Sequence, residues 1–390
     1  MNIICLSTQN WDDRMWTNKQ HIMYRLSKNH RVIYVDKGVL GLKNFFIKRE
    51  DEEGFKFTIK NLFSLFEERN KNLTVLTEKF NFPNPYAFKI KLLKKYIKKN
   101  NLKDIILWIY QPEYEKYIGE LGEKLVVYDC VDEYSTFPAY NKPGKKDGII
   151  ETEKSLLKKA DLVITSAPGL YESKKEFNKN THLVHNVGNA KHFMKALDPN
   201  TEIPSDIGSI KKPIIGFIGA LDKYKVDFEL LQHIAEKHPE WSVVLIGPKG
   251  KVDFSTRTSS LKKFGNIHML GTKDYNPLPN YVKAFDVCMI PYNINDYTKN
   301  CFPIKFFEFL ASGKPVVTTN LPALKEFEGS VKYASGKEDF TRAIEESLEH
   351  DPNEMKQKRI EAAKQNSWES RISKIIGLIE KSIKGKHGKI

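Results

Sequence analysis

The 390-residue chain lacks any apolar run of about 18 residues, so no membrane-spanning helix is expected. From Met1 to Ser7 no basic stretch precedes the apolar one, so no secretory signal is expected either. Cysteine is scarce. Cys5, Cys130, Cys288 and Cys301 stand far apart and form no CxxC pair, which argues against a disulfide framework and suits a reducing compartment. No His, Cys, Asp and Glu cluster has metal-ligand spacing, so no metal is expected. No GxGxxG turn offers a seat for a dinucleotide pyrophosphate. Repeats and low-complexity tracts are missing. Negative charge is in deficit, with 49 Asp and Glu against 63 Lys and Arg, a net charge of +14. What is there excludes disorder: 40% of residues are hydrophobic and 12% aromatic. The length predicts two domains, three at most, in a basic cytoplasmic protein whose excess positive charge needs a partner.

Short runs rich in Val and Ile alternate with longer helical patterns, as in a parallel sheet buried on both faces. Strands are predicted at Asn2–Leu6, Val32–Val35, Thr74–Leu76, Ile105–Tyr110, Leu125–Tyr128, Leu162–Thr165 and Leu183–His185, with a helix at Lys19–Lys28. Residues 196–212, with Pro199, Pro204 and the following Pro213, read as a linker. The pattern then restarts with strands at Ile214–Ile218, Ser242–Ile246, Ile267–Leu270, Val287–Ile290 and Pro315–Thr318. Helices are expected at Phe228–Lys237, Leu278–Ala284, Ile304–Ala311, Phe340–Leu348 and, last, Ser367–Ile383. The fold class is α/β, doubly wound twice over: an N-terminal domain at 1–195, a C-terminal domain at 213–370, and a helix with a basic tail at 371–390 crossing back to the first. Residues 40–72, charged and aromatic with weak periodicity, read as an insertion of no assigned structure.

Residues 285–319 carry the most chemistry. They read strand, loop, helix, Gly turn and strand, with the helix starting at Pro303 or Ile304 because Pro suits a first turn that needs no donor. Free N–H groups near Phe302, Ile304 and Lys305, together with the helix dipole, make an anion site there. Lys305 in the first turn gains from a phosphate at the same place. Glu308 lies about 4–6 Å further along at 1.5 Å per residue, where a carboxylate can accept both hydroxyls of a ribose. Phosphate, then ribose, is the order of a nucleotide. The plainer alternative is an ordinary i, i+3 pair between Lys305 and Glu308.

Asp286 and Pro291, the run Pro303-Ile304-Lys305-Phe306-Phe307-Glu308 continuing through Gly313-Lys314-Pro315, and Gly219-Ala220-Leu221 resemble the group 1 (family 4) nucleotide-sugar glycosyltransferases of GT-B fold. The branch of teichuronic-acid and other cell-surface polysaccharide transferases also resembles this chain at Tyr128–Asp132, at Leu270-Gly271 and at Leu278-Pro279-Asn280-Tyr281. The resemblance implies two facing Rossmann-like domains and a nucleotide-diphosphate sugar as co-substrate, with no bound cofactor. It implies a retaining transfer to a glycan or lipid-linked glycan, in which a donor phosphate oxygen takes the acceptor's proton. By the same resemblance Glu308 binds the donor ribose and the turn Phe302-Pro303-Ile304, with Lys305, the diphosphate; Gly219, Lys225 and Gly271 complete the donor site. The family's sugar-contacting Glu is Asn300 here and its Arg is Ala220, while Lys225 falls where the family has Lys. An amide at Asn300 still bonds sugar hydroxyls, and Lys223 or Lys305 can stand in for the missing Arg.

In the first half, Trp11, Arg14, Trp16 and Asn18 follow the first strand and suit an acceptor sugar, although the two Trp can equally cover the sheet top. Asp129 and Asp132 follow the predicted strand Leu125–Tyr128; Asp132 is assigned to the cleft as a catalytic residue, to orient the acceptor hydroxyl or act as a base, and the other to a helix cap. His185, before Asn186-Val187-Gly188, is read as structural. Residues 89–103 hold seven Lys and no acid, with Ile90, Leu93 and Ile97 in a stripe. That stripe faces either the core, with a solvated lysine back, or an anionic membrane. Two other function classes remain open. A sugar-nucleotide epimerase on this scaffold needs converging carboxylates and His, which do not assemble here. A nucleic-acid binder needs clustered Arg and a recognised module, whereas the excess is mostly Lys.

Overall fold

A computed structural model describes residues 1–13, 16–37, 65–77, 85–140, 142–250 and 256–387. Arg14 and the part of the expected insertion from 40 to 64 lie outside them. Among the described residues the chain forms two sheets. The first contains β1 (Asn2–Leu6), β2 (Arg31–Val35), β3 (Phe66–Asn70), β4 (Leu73–Leu76), β5 (Ile105–Ile109), β6 (Glu123–Cys130), β7 (Leu162–Thr165) and β8 (Thr181–Leu183), in the order β3-β4-β2-β1-β5-β6-β7-β8. All neighbours pair in parallel except β3 with β4. The second contains β9 (Ile214–Ile218), β10 (Ser242–Ile246), β11 (Ile267–Gly271), β12 (Val287–Ile290), β13 (Val316–Thr319) and β14 (Lys332–Ala334), in the parallel order β11-β10-β9-β12-β13-β14. In each sheet the order reverses beside its first strand, between β1 and β5 and between β9 and β12. Such a reversal opens a crevice at the carboxyl ends of the strands, where ligands of open α/β sheets bind.

The Val and Ile runs explain the strands. β1, β2, β5, β9 and β10 are buried along almost their whole length on both faces, which branched apolar side chains tolerate and polar ones do not. β3, Phe-Glu-Glu-Arg-Asn, carries no such run and was not expected; it is a polar antiparallel edge strand, a composition that discourages further pairing. β6 is longer than expected. It takes in Asp129, which pairs in register with Ile164 and is fully buried instead of standing at a strand end. β8 ends at Leu183, so His185 lies in the loop beyond it.

The helix Pro85–Lys99 settles which way its stripe faces. Leu93 is 0% exposed and Ile90 and Ile97 pack on the core, while Lys91, Lys94, Lys95, Lys98 and Lys99 are exposed. The final helix, Trp368–His387, returns to the first sheet as expected. Arg371, buried, donates to the carbonyls of Val184 (2.8 Å) and His185, and Lys374 donates to that of Leu183 (3.1 Å). Asp129 feels the charge of the same guanidinium, which offsets part of the burial that raises its pKa. The segment 196–212 is pinned to the helix Leu278–Ala284: the Lys283 ammonium donates to the carbonyls of Asp198, Pro199 and Thr201 at 2.7–2.9 Å.

At the end of β2, Asp36 accepts from the Trp11 N–H (2.8 Å) and the Thr77 hydroxyl (3.0 Å), and burial pushes its carboxyl up to about 7. The unfolded carboxyl titrates near 3.9, so between about pH 4 and pH 7 the native state binds the extra proton. Stability from this group is full below pH 4 and falls as pH rises to 7, at a limiting slope of about 1.4 kcal/mol per pH unit. Asp36→Asn should remove that slope; urea titrations of both proteins from pH 4 to 8 measure it, and parallel curves would contradict it.

Candidate functional site

The two crevices face each other, and the loops between them build the site. Beyond β9 the chain runs through Gly219 to Val226, and beyond β12 through Pro291 to Pro303. The two are laced together: Asp227 N–H donates to the Pro291 carbonyl (2.8 Å), Asn293 N–H to that of Lys225 (2.9 Å), and the Asn293 amide to that of Lys223 (2.9 Å). Gly247 lets the loop after β10 come close to Gly219, since a Cβ on Gly247 would meet the Gly219 carbonyl oxygen at 2.0 Å. Gly271, at the exposed end of β11 with φ +71°, accepts from the Gly247 N–H at 2.8 Å.

The helix Ile304–Ala311 begins behind Pro303, and among the described residues no side chain caps it. Its first N–H groups therefore keep the positive end of the helix dipole uncompensated. Phe302 is buried, its ring against His185 (5.0 Å) and Phe307 (5.4 Å) and its carbonyl accepting from the Asn186 amide (3.2 Å). Asn186 in turn accepts from the Asn18 amide (3.3 Å). Asn18, expected on an acceptor surface, is instead buried and holds Asn186, the residue that ties the first half to the start of this helix. His185 packs and pairs with Glu326 (2.7 Å).

Glu308 is 1% exposed. Its Oε1 accepts from the Tyr275 hydroxyl at 2.8 Å and its Oε2 from the Lys305 ammonium at 2.5 Å. The i, i+3 pair weighed from the sequence does form, and Lys305 also sits 5.4 Å from the ring centres of Phe193 and Tyr275. Burial, then the Glu308 charge, pushes the Tyr275 phenol up, so it stays a donor. Its ring stacks on His192, with centres 5.0 Å apart and planes at 17°. Gly188 closes the other side: a Cβ there would lie 2.8 Å from the Glu308 nitrogen and 2.9 Å from its Cγ. His21, close by, is held neutral; burial and the Arg25 charge lower it to about 3.

Asp132 stands in the loop after β6, half-buried, and accepts from the Tyr297 hydroxyl at 3.2 Å. Burial raises its pKa, and the charges of Lys19 and Lys225 oppose the rise. Lys225 also lies 4.8 Å from the Tyr292 ring centre. Tyr297 packs on Phe137 (5.5 Å) and Tyr224 (5.1 Å), an aromatic wall across the cleft. Asn300 donates to the Asp296 carbonyl (2.8 Å) and packs on Gly169 of the first half, where a Cβ would be 2.1 Å from its Oδ1. Trp11 is buried against Tyr34 and covers the sheet, leaving the half-buried Trp16, 5.0 Å from it, nearer the surface. Sequence reasoning missed Tyr275 and His192. The segment Asn186-Val187-Gly188, which carries no local mark of it, lies against Glu308. Among the described residues no group of three or more His, Cys, Asp and Glu is placed to hold a metal ion.

Two such sheets, each with its strand order reversing beside its first strand, have the GT-B fold. Residues 200–366 match the family described as Glycosyl transferases group 1. It is 28% identical over 278 residues to TuaH of Bacillus subtilis (strain 168), named as a teichuronic acid biosynthesis glycosyltransferase, covering 67% of this chain and 68% of that one. Among solved structures, sucrose-phosphate synthase from Thermosynechococcus elongatus superposes with a TM-score of 0.67 at 15% identity, covering 97% of this chain and 98% of that one. HepE of Anabaena in complex with UDP also gives a TM-score of 0.67, at 13% identity, covering 97% and 99%.

Gly188→Ala should cost about 1–3 kcal/mol, because the added methyl meets backbone that cannot move aside. Urea unfolding of the variant measures it, and an unchanged midpoint would mean the turn is not seated on this helix.

Proposed function

We propose that the protein moves a sugar, with retention, from a nucleotide-diphosphate sugar to a glycan or lipid-linked glycan in cell-surface polysaccharide synthesis. The observation that carries this reading is the buried Glu308 one turn inside an uncapped helix start, in a cleft between two nucleotide-type sheets. The diphosphate rests on Phe302, Pro303 and Ile304, with Lys305 and Lys225 as counter-charges and Gly219 and Gly271 completing the donor site. Glu308 takes the ribose hydroxyls. Residues 213–370 thus act as the donor domain and 1–195 as the acceptor domain, joined by 196–212, with 371–390 bracing the first. UDP in the HepE structure, a fold relative, favours a uridine nucleotide as the first donor to test.

The acceptor enters opposite, against Trp16 and Asp132, with Trp11 and Asn18 supporting them from behind. Asp132 orients the acceptor hydroxyl, and Asn300 supplies an uncharged contact to the donor sugar. In a same-face transfer the leaving phosphate oxygen receives the acceptor's proton, so Asp132 need not be the base. The lysine face of the helix Pro85–Lys99 meets an anionic inner-leaflet surface by charge alone, since its apolar stripe is spent on the core. No described helix is long and apolar enough to cross a membrane.

Glu308→Ala should reduce nucleotide-sugar turnover at least about a hundredfold, as expected when an interaction of about 3 kcal/mol with the donor is lost. Near-normal transfer in a folded variant would refute the donor site. Co-sedimentation with vesicles should favour phosphatidylserine-containing over neutral ones and weaken when Lys91, Lys95, Lys98 and Lys99 become Gln. Equal binding to both vesicle types would discard the membrane contact.

A further inference from the structure

Glu308 cannot receive a ribose as it stands. Both carboxylate oxygens hold a donor, 1% of the residue is exposed, and the Gly188 backbone lies against its Cγ. Of the groups pressed on it, Gly188 is fixed by main chain, whereas Tyr275 is half-buried in the loop between Gly271 and the helix Leu278–Ala284, with Asp274 and Asn276 exposed on either side. Building on the reading that Glu308 binds the ribose, we infer that Tyr275 is a gate on that carboxylate, whose hydroxyl occupies the place of a ribose hydroxyl and must leave before a nucleotide binds.

The exchange balances bond for bond. A ribose brings two hydroxyl donors. One replaces the Tyr275 hydroxyl at Oε1, and the other replaces the Lys305 ammonium at Oε2. Lys305, in the first turn of the same helix, is then released toward the anion at the helix start. Ribose and diphosphate occupancy are coupled through this one lysine. The gate is also held from the first half: the His192 ring stacks on Tyr275, and His192 Nε2 lies 3.2 Å from the Tyr275 carbonyl oxygen. His21, also of the first half, stands 5.7 Å from the same ring. Tyr275 is thus a positioning residue that sets nucleotide affinity and ties it to the contact between the halves.

Tyr275→Phe keeps the ring on His192 and removes only the competing hydroxyl. Isothermal titration with UDP and with GDP should give about tenfold tighter binding, the value of one hydrogen bond to a charged acceptor. The ribose is common to both nucleotides, so the gain should appear with whichever of them binds. In a Glu308→Gln background, nucleotide binding should weaken and the Tyr275→Phe gain should vanish. If Glu308→Gln weakens binding but Tyr275→Phe alone gives no gain, the gate is wrong and the donor site stands. If Glu308→Gln binds as well as the unmodified protein, or the unmodified protein binds neither nucleotide, the donor-site reading itself falls.

Discussion

The meeting of Gly188 with the first turn of the helix Ile304–Ala311 leaves no room for a single methyl group, and the rest of the cleft is arranged around that approach. Backbone brought this close fixes the helix start relative to the first sheet more rigidly than side-chain contacts do. The Asn18–Asn186–Phe302 chain of amides then sets the angle at which the helix enters. Arg371 grips the carbonyls of Val184 and His185 just before the same turn, so the final helix braces the turn from behind. An arrangement supported on three sides keeps the uncapped N–H groups pointed at one place, which an anion site requires.

Charge inside the cleft is balanced rather than in excess. Glu308 faces Lys305, and Asp132 lies near Lys19 and Lys225. The net +14 therefore is not concentrated where a diphosphate would bind. Much of it lies on outward faces, as on the helix Pro85–Lys99, where five exposed lysines share one side. The apolar stripe beneath them belongs to the core, so that face attracts anions without any means of inserting into lipid.

Legibility in the sequence followed burial. Strands such as Ile-Ile-Gly-Phe-Ile at β9 and Ser-Val-Val-Leu-Ile at β10 declare themselves, because a two-sided core accepts only that composition. The helix start at Ile304 and the carboxylate one turn on were legible because local spacing alone places them. Residues whose roles depend on contacts distant in sequence were not. Asp129 looked like a strand-end acid, since its charge sits opposite Arg371, more than two hundred positions later. Trp11 and Trp16 are neighbours of one type, yet only the fold separates the ring that covers β2 from the one nearer the surface. Tyr275, in a polar turn before Pro277, bears no local mark of meeting Glu308.

Such a balanced cleft explains how the site tolerates Ala220 where a guanidinium is common in the family it resembles. A fixed Arg would add a permanent charge that must be neutralised whenever no phosphate is bound. Lys305 avoids this by resting on Glu308, a partner that the ribose itself replaces on the proposed reading. The attraction for phosphate then grows only as the ribose settles, so a free phosphate gains less from the site than a whole nucleotide does. On that reading, selectivity for the intact donor follows from a lysine with two possible partners, and a lysine on a flexible stem can make that exchange more readily than a planar guanidinium locked in a bidentate pair.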